Sequence, residues 1–211
     1  MKKLLTITIF FFPALLFAQQ KTGGFIKEHL YVKVSPTLFI PVHGNLTPAA
    51  LGTIGIKCNK YVALGISSGY FTYNQETKAV IPWGAELTVT NFKAQKIAPI
   101  LTIQLFRPGN YEKTEAASWQ NPYHNSAGGI SYEYYDENVH TTGKSLFSVA
   151  AGAVIPLHSH KLAFTAGFSQ LTFKKDIFNS WYNPSVGRGV KDSHITFQNV
   201  LMANISLSFI F

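Results

Sequence analysis

Beyond residue 18 the chain holds no apolar run approaching the ~20 residues that a membrane-crossing helix needs. What it holds instead is a succession of segments in which apolar and polar side chains alternate. Alternation of this kind has the period of an extended strand, so each segment carries one apolar face and one polar face. Eight such segments stand out, at residues 29–42, 49–58, 61–73, 79–90, 97–106, 146–156, 161–173 and 194–211. In the fourth, Ile81, Trp83, Ala85, Leu87 and Val89 share one face and Gly84, Glu86, Thr88 and Thr90 the other. The seventh sets Leu162, Phe164, Ala166 and Phe168 against Ala163, Thr165, Gly167 and Ser169. Leu171 and Phe173 then fall on the polar phase, which reads as a β-bulge.

The beginning of the chain reads as an export signal. Lys2 and Lys3 form a basic start, residues 4–17 are apolar and contain Pro13, and Ala18 precedes Gln19 and Gln20. That is the pattern of a cleaved secretory peptide, and the run is too short for an anchor helix. The expected division is a signal at 1–18 and one domain over 19–211. No cysteine lies near the cut, so a lipoprotein anchor is not expected. Loss of Lys2 and Lys3 takes the formal net charge from +8 to +6. The remaining basic residues are dispersed rather than gathered in a stripe, so a nucleic-acid partner is not expected. Cys58 is the only cysteine, so no intramolecular disulfide staples the domain.

Period alone does not say which face is inward, because a soluble eight-stranded barrel puts apolar side chains inside. The connections decide. With the first strand starting on the periplasmic side, the connections after strands two, four and six are periplasmic. They are Asn59–Lys60, 91–96 and 157–160, all short. Two connections on the opposite side, 107–145 and 174–193, are the longest in the chain. Short turns on one side and long external loops on the other are the habit of membrane barrels. Small residues on the polar faces suit a narrow, filled interior. Tyr31, Tyr61, Tyr70, Tyr73 and Trp83 near strand ends read as interfacial girdles. The expected fold is all-β, an eight-stranded antiparallel up-and-down transmembrane β-barrel.

The last segment adds a resemblance. Ala203, Ile205, Leu207, Phe209 and Phe211 fall on one face, with Asn204, Ser206 and Ser208 on the other. A final strand of this pattern ending in Phe resembles the assembly signal of the small outer-membrane β-barrel families of Gram-negative bacteria. The resemblance implies a place in the cell outer membrane. It also implies outer-membrane lipid and lipopolysaccharide as surroundings, a barrel-insertion machinery as assembly partner through Ile205, Leu207, Phe209 and Phe211, and a monomer. Those families hold adhesive, structural, transport-accessory and enzymatic members, and fold does not fix function.

Three local features bear on chemistry. His158 and His160 project to one side of an extended segment, but a structural zinc wants four ligands and no third is apparent. No metal or cofactor is expected. Asp192, Ser193 and His194 stand where the fourth external connection enters the last strand, at the height where lipid A-modifying barrels carry their catalytic groups. Adjacent strand residues point to opposite faces, so Ser193 and His194 do not form a nucleophile–base pair. The His-x-Ser pattern of the deacylases is also missing, since Thr196 stands two positions after His194.

The segment 107–145 is rich in Tyr, including Tyr111 and Tyr135, and contains Gly128–Gly129 and the acids Glu133, Asp136 and Glu137. Trp119, Tyr123, Tyr132 and Tyr134 are its candidate contact residues. Its second half alternates through Ile130, Tyr132 and Tyr134, which reads equally as a hairpin carrying the barrel above the membrane. Lys33, Lys57 and Glu86 fall on polar faces and are expected to meet in the lumen as a charge cluster that plugs it. The reading is a non-enzymatic outer-membrane barrel whose external segments make contacts or shape the envelope. The alternatives are a narrow pore or transport accessory, and a lipid A-modifying enzyme.

Overall fold

A computed structural model describes residues 29–43, 45–72, 79–109, 111–124, 127–158, 160–183 and 188–211. The expected signal segment 1–18 and Tyr73 lie outside the described residues. Nine strands run in order: β1 (Leu30–Pro41), β2 (Thr47–Lys57), β3 (Val62–Thr72), β4 (Ala79–Thr90), β5 (Ala98–Gly109), β6 (Glu112–His124), β7 (Ile130–Leu157), β8 (His160–Asn183) and β9 (Arg188–Ile210). All pairings are antiparallel between neighbours, β1 meets β9, and the pairing of β5 with β7 closes the ring. Eight strands therefore wall the barrel. The ninth, β6, pairs with β7 outside it.

Of the two segments expected as long external loops, 107–145 takes the hairpin reading and 174–193 is largely strand rather than loop. Residues 112–124 and 130–145 form a hairpin, and 174–183 and 188–193 continue β8 and β9. Beyond the barrel the upper parts of β9, β8 and β7 together with β6 make a four-stranded sheet. At about 3.3 Å per residue the 28 residues of β7 span ~90 Å, about three times a hydrocarbon core. By contrast β1 to β5, at 11 or 12 residues each, match what a tilted membrane strand requires.

The barrel wall is apolar outward, and the interior is polar at mid-height. Ile54, Ile56, Leu64, Ile66, Trp83, Leu105, Phe147, Phe164 and Phe168 are all exposed on its outer wall. No Asp, Glu or Lys occupies an outward position of the eight walls between the rims. In water such a surface would be a liability; in lipid it removes the cost of placing charge against hydrocarbon. The short turns at 58–61 and 91–97 and the turn residue His158 gather at one end, and the four-stranded sheet rises from the other.

The interior is layered. Nearest the short turns, Tyr31, Ala63, Ile100, Val154, Ala163 and Ile210 form a buried apolar cluster closed by Phe92. A polar middle follows. Above it Phe39, Leu51, Phe71, Val80, Phe106, Leu146, Leu171, Phe173 and Met202 pack together, with Tyr111 against them. Leu171 and Phe173 therefore keep the inward phase. The β8–β9 register runs unbroken from Lys161↔Ile210 to Asn183↔Arg188, so there is no bulge at that point. The irregularity lies in β7, between Gly143 and Ser145. Tyr31 is likewise an interior residue rather than part of a girdle. A narrow barrel coils its strands tightly, and glycine fits where a Cβ would run into the neighbouring backbone. A Cβ on Gly55 would stand 2.0 Å from the Leu64 carbonyl oxygen, beside the facing Gly65.

Candidate functional site

Two places bring chemistry-bearing side chains together: the polar middle of the lumen and the outer sheet.

In the lumen, β1 and β4 both turn every second residue inward, which sets Lys33 opposite Glu86. Lys33 Nζ stands 2.5 Å from Glu86 Oε1, and both side chains are essentially buried. The same oxygen accepts from Tyr31 (3.1 Å) and Thr88 (2.9 Å). Oε2 accepts from Gln104 Nε2 (2.7 Å), Thr53 (2.9 Å) and Ser67 (3.4 Å). The carboxylate is thus saturated with donors, the condition under which a buried charge is tolerable. Lys57 shares the inward phase but does not join the pair. Its ammonium lies 5.9 Å from the Phe92 ring centroid, at the short-turn mouth. Across the lumen Asn204 donates to Ser148 (3.0 Å) and Ser169 (2.7 Å), and Ser35 and Ser208 share a 2.7 Å bond. The space left among Lys33, Gln104, Ser148, Asn204 and Ser206 is about 20 Å³, room for about one water.

In the outer sheet, the shift between Gly143 and Ser145 moves the odd-numbered residues of β7 onto the face that continues the lumen. That phase change places residues in cross-strand rows. Trp119, Tyr135 and Trp181 form one row over β6, β7 and β8. Ala117, Glu137, Asn179 and Asp192 form the next, over β6 to β9. The Trp119 and Tyr135 rings are parallel at 2° with centroids 5.7 Å apart, and Tyr135 and Trp181 are 6.4 Å apart at 44°. Together these two rows line a groove of about 290 Å³. Tyr135 donates to Glu133 at 2.8 Å, which pushes its phenol above the ordinary value and keeps it neutral. The groove's charge is therefore carried by its carboxylates.

Of the four aromatic residues singled out in 107–145, Trp119 lies in this groove. Tyr132 and Tyr134 stand on the opposite face of the sheet, and Tyr123 is paired with Ser131 but its side chain is outside the described residues. The groove's other members, Tyr135, Trp181, Glu137, Asn179 and Asp192, were not grouped by sequence reasoning. Continuing the alternation of β8 past Phe173, through Lys175 and Ile177, puts Asn179 and Trp181 on one face, but their rows with Tyr135, Glu137 and Asp192 depend on register. Asp192 and His194 share a face and Ser193 takes the other. His160 packs against Phe211 with ring centroids 4.8 Å apart, and Ser159 lies outside the described residues. Among the described residues no group of three or more His, Cys, Asp and Glu is placed to hold a metal. Ile205, Leu207 and Phe209 are exposed on the barrel's outer wall, and the Phe211 amide donates to Val32 at 2.9 Å.

No family model matches the chain, and no curated protein matches it. Among solved structures the chain is similar to the N-terminal β-barrel domain of Pseudomonas aeruginosa OprF, at 11% identity and a TM-score of 0.39, over 87% of this chain and 98% of that one.

Proposed function

We propose that the protein is a non-enzymatic outer-membrane barrel, closed to solutes, that holds a four-stranded sheet outside the cell as a contact surface. The observation that carries the reading is the lumen: the saturated Lys33–Glu86 layer is sealed between two apolar layers, beneath a sheet that rises only at the end opposite the short turns. A filled interior argues against the pore reading. The opposite faces taken by Ser193 and His194 argue against the lipid-enzyme reading. The apolar wall is surrounded by outer-membrane lipid and lipopolysaccharide, and β9 is the strand engaged by the insertion machinery.

Cys58 supplies the test, since it is free, exposed and in the turn between β2 and β3. A membrane-impermeant maleimide on intact cells is expected to leave Cys58 unlabelled and to label a Cys58→Ser, Gln120→Cys variant. Labelling of Cys58 on intact cells with no labelling at 120 would invert the topology. No labelling at either site would contradict surface exposure of the sheet.

A further inference from the structure

The groove on the outer sheet has a composition that selects its ligand. Its row of Trp119, Tyr135 and Trp181 offers three ring faces, and the row beneath supplies Glu137, Asn179 and Asp192. Among the described residues no Lys, Arg or His lines it. Among the described residues neither Glu137 nor Asp192 is engaged in an ion pair. Two buried side-chain atoms in the groove, the carbonyl oxygen of Asn179 and the indole N–H of Trp181, have no hydrogen-bond partner, so an acceptor and a donor are both left for a ligand such as a hydroxyl-bearing ammonium. Indole and phenol faces attract cations through the ring quadrupole, and uncompensated carboxylates beside them add to that attraction.

We propose that this groove binds a small free organic cation, an alkylammonium head carrying a few methylenes. The ammonium would lie over the Trp119 and Trp181 rings with its charge toward Glu137 and Asp192, and an N–H or an N-methyl edge would meet the Asn179 oxygen. Size favours a small amine: about 290 Å³ is at the lower limit of small-molecule pockets. Charge decides against an anionic ligand such as a phosphate or a nucleotide, which the carboxylates would repel.

The inference rests on the proposed function only for access from outside, and it is testable on purified protein in detergent without reference to topology. Trp119, Trp181 and Trp83 are the chain's three tryptophans. Trp83→Phe therefore leaves emission from the groove alone. Titration of that variant with choline is expected to give a saturable change in emission. The response to 3,3-dimethyl-1-butanol, of the same shape without the charge, should be at least about tenfold weaker, as a charge-driven site requires. Adding Glu137→Gln and Asp192→Asn should weaken choline by a similar factor while the far-ultraviolet circular dichroism stays unchanged. Equal responses to choline and the neutral analogue, choline binding unaffected by the two neutralisations, or saturation by methyl α-glucoside and not by choline would each overturn the proposal. So would the lack of any saturable response to choline in a protein whose dichroism shows it folded. Failure here leaves the Cys58 labelling result standing, and an inverted labelling pattern leaves the binding result standing.

Discussion

Glu86 shows how single positions hold this barrel together. Its two carboxylate oxygens take six side-chain donors from β1 to β5, among them Lys33, Gln104 and Thr53. Glu86→Ala leaves Lys33 buried without its partner, a loss of about 3–5 kcal/mol. Glu112→Ala removes an exposed pairing with His140 and should cost under ~1 kcal/mol. Urea unfolding of the two variants in detergent checks the contrast, and equal midpoints would contradict the buried role. Lys33→Met with Glu86→Gln should recover most of the loss, since a neutral pair leaves no orphaned charge. Lys33 and Glu86 were legible in the sequence because strand period alone assigns both to the polar face. The failure of Lys57 to join them was not. Thr53 is the residue of β2 that reaches Glu86, and Lys57 stands four residues further along, about 13 Å away. Distance along the strand depends on stagger, which periodicity does not report.

Among the elements, the eight barrel strands were readable, while of the outer ones only the start of β7, through Ile130, Tyr132 and Tyr134, alternates enough to be read, and the difference has one physical reason. A strand with lipid on one side and a packed lumen on the other must alternate sharply, as Leu101, Ile103 and Leu105 do against Thr102 and Gln104. A strand wetted on both faces need not, and β6 mixes Lys113, Glu115 and Ala117 with Thr114, Ala116 and Ser118. The upper apolar layer was hidden in the same way, because Leu171 and Phe173 break the polar pattern without breaking the register. Two predictions belong at this scale. The hairpin returns to the barrel rim where the Gly143 amide donates to the Tyr111 carbonyl at 3.1 Å. Replacing residues 112–142 by a short turn should therefore leave a protease-resistant barrel with undiminished strand dichroism per residue of barrel; loss of both would make the hairpin part of the folding core. Gly55→Val drives a side chain into the Leu64 carbonyl, so it should prevent closure between β2 and β3. The protein would then be recovered aggregated, whereas Gly128→Val, at a left-handed position with open space around it, should weaken the hairpin alone.

At the scale of the whole molecule, an apolar outer wall around a lumen that is polar at mid-height is the pattern of a membrane barrel, and the proposed function starts from it. On the proposed reading the apolar wall faces lipid, the filled lumen would deny passage, and the strands that continue beyond the barrel end in an aromatic, acidic groove. The strands beyond the barrel are also where sequence and structure part most, since a sheet wetted on both faces needs no period. The measurement that tests the sealed barrel most directly is single-channel recording of the purified protein in a planar bilayer, with insertion read independently from protease resistance of the barrel strands. A sealed lumen predicts a quiet baseline with the inserted wild type across the usual range of applied voltage. Regular, reproducible conductance steps of one size would contradict it and make the barrel a pore.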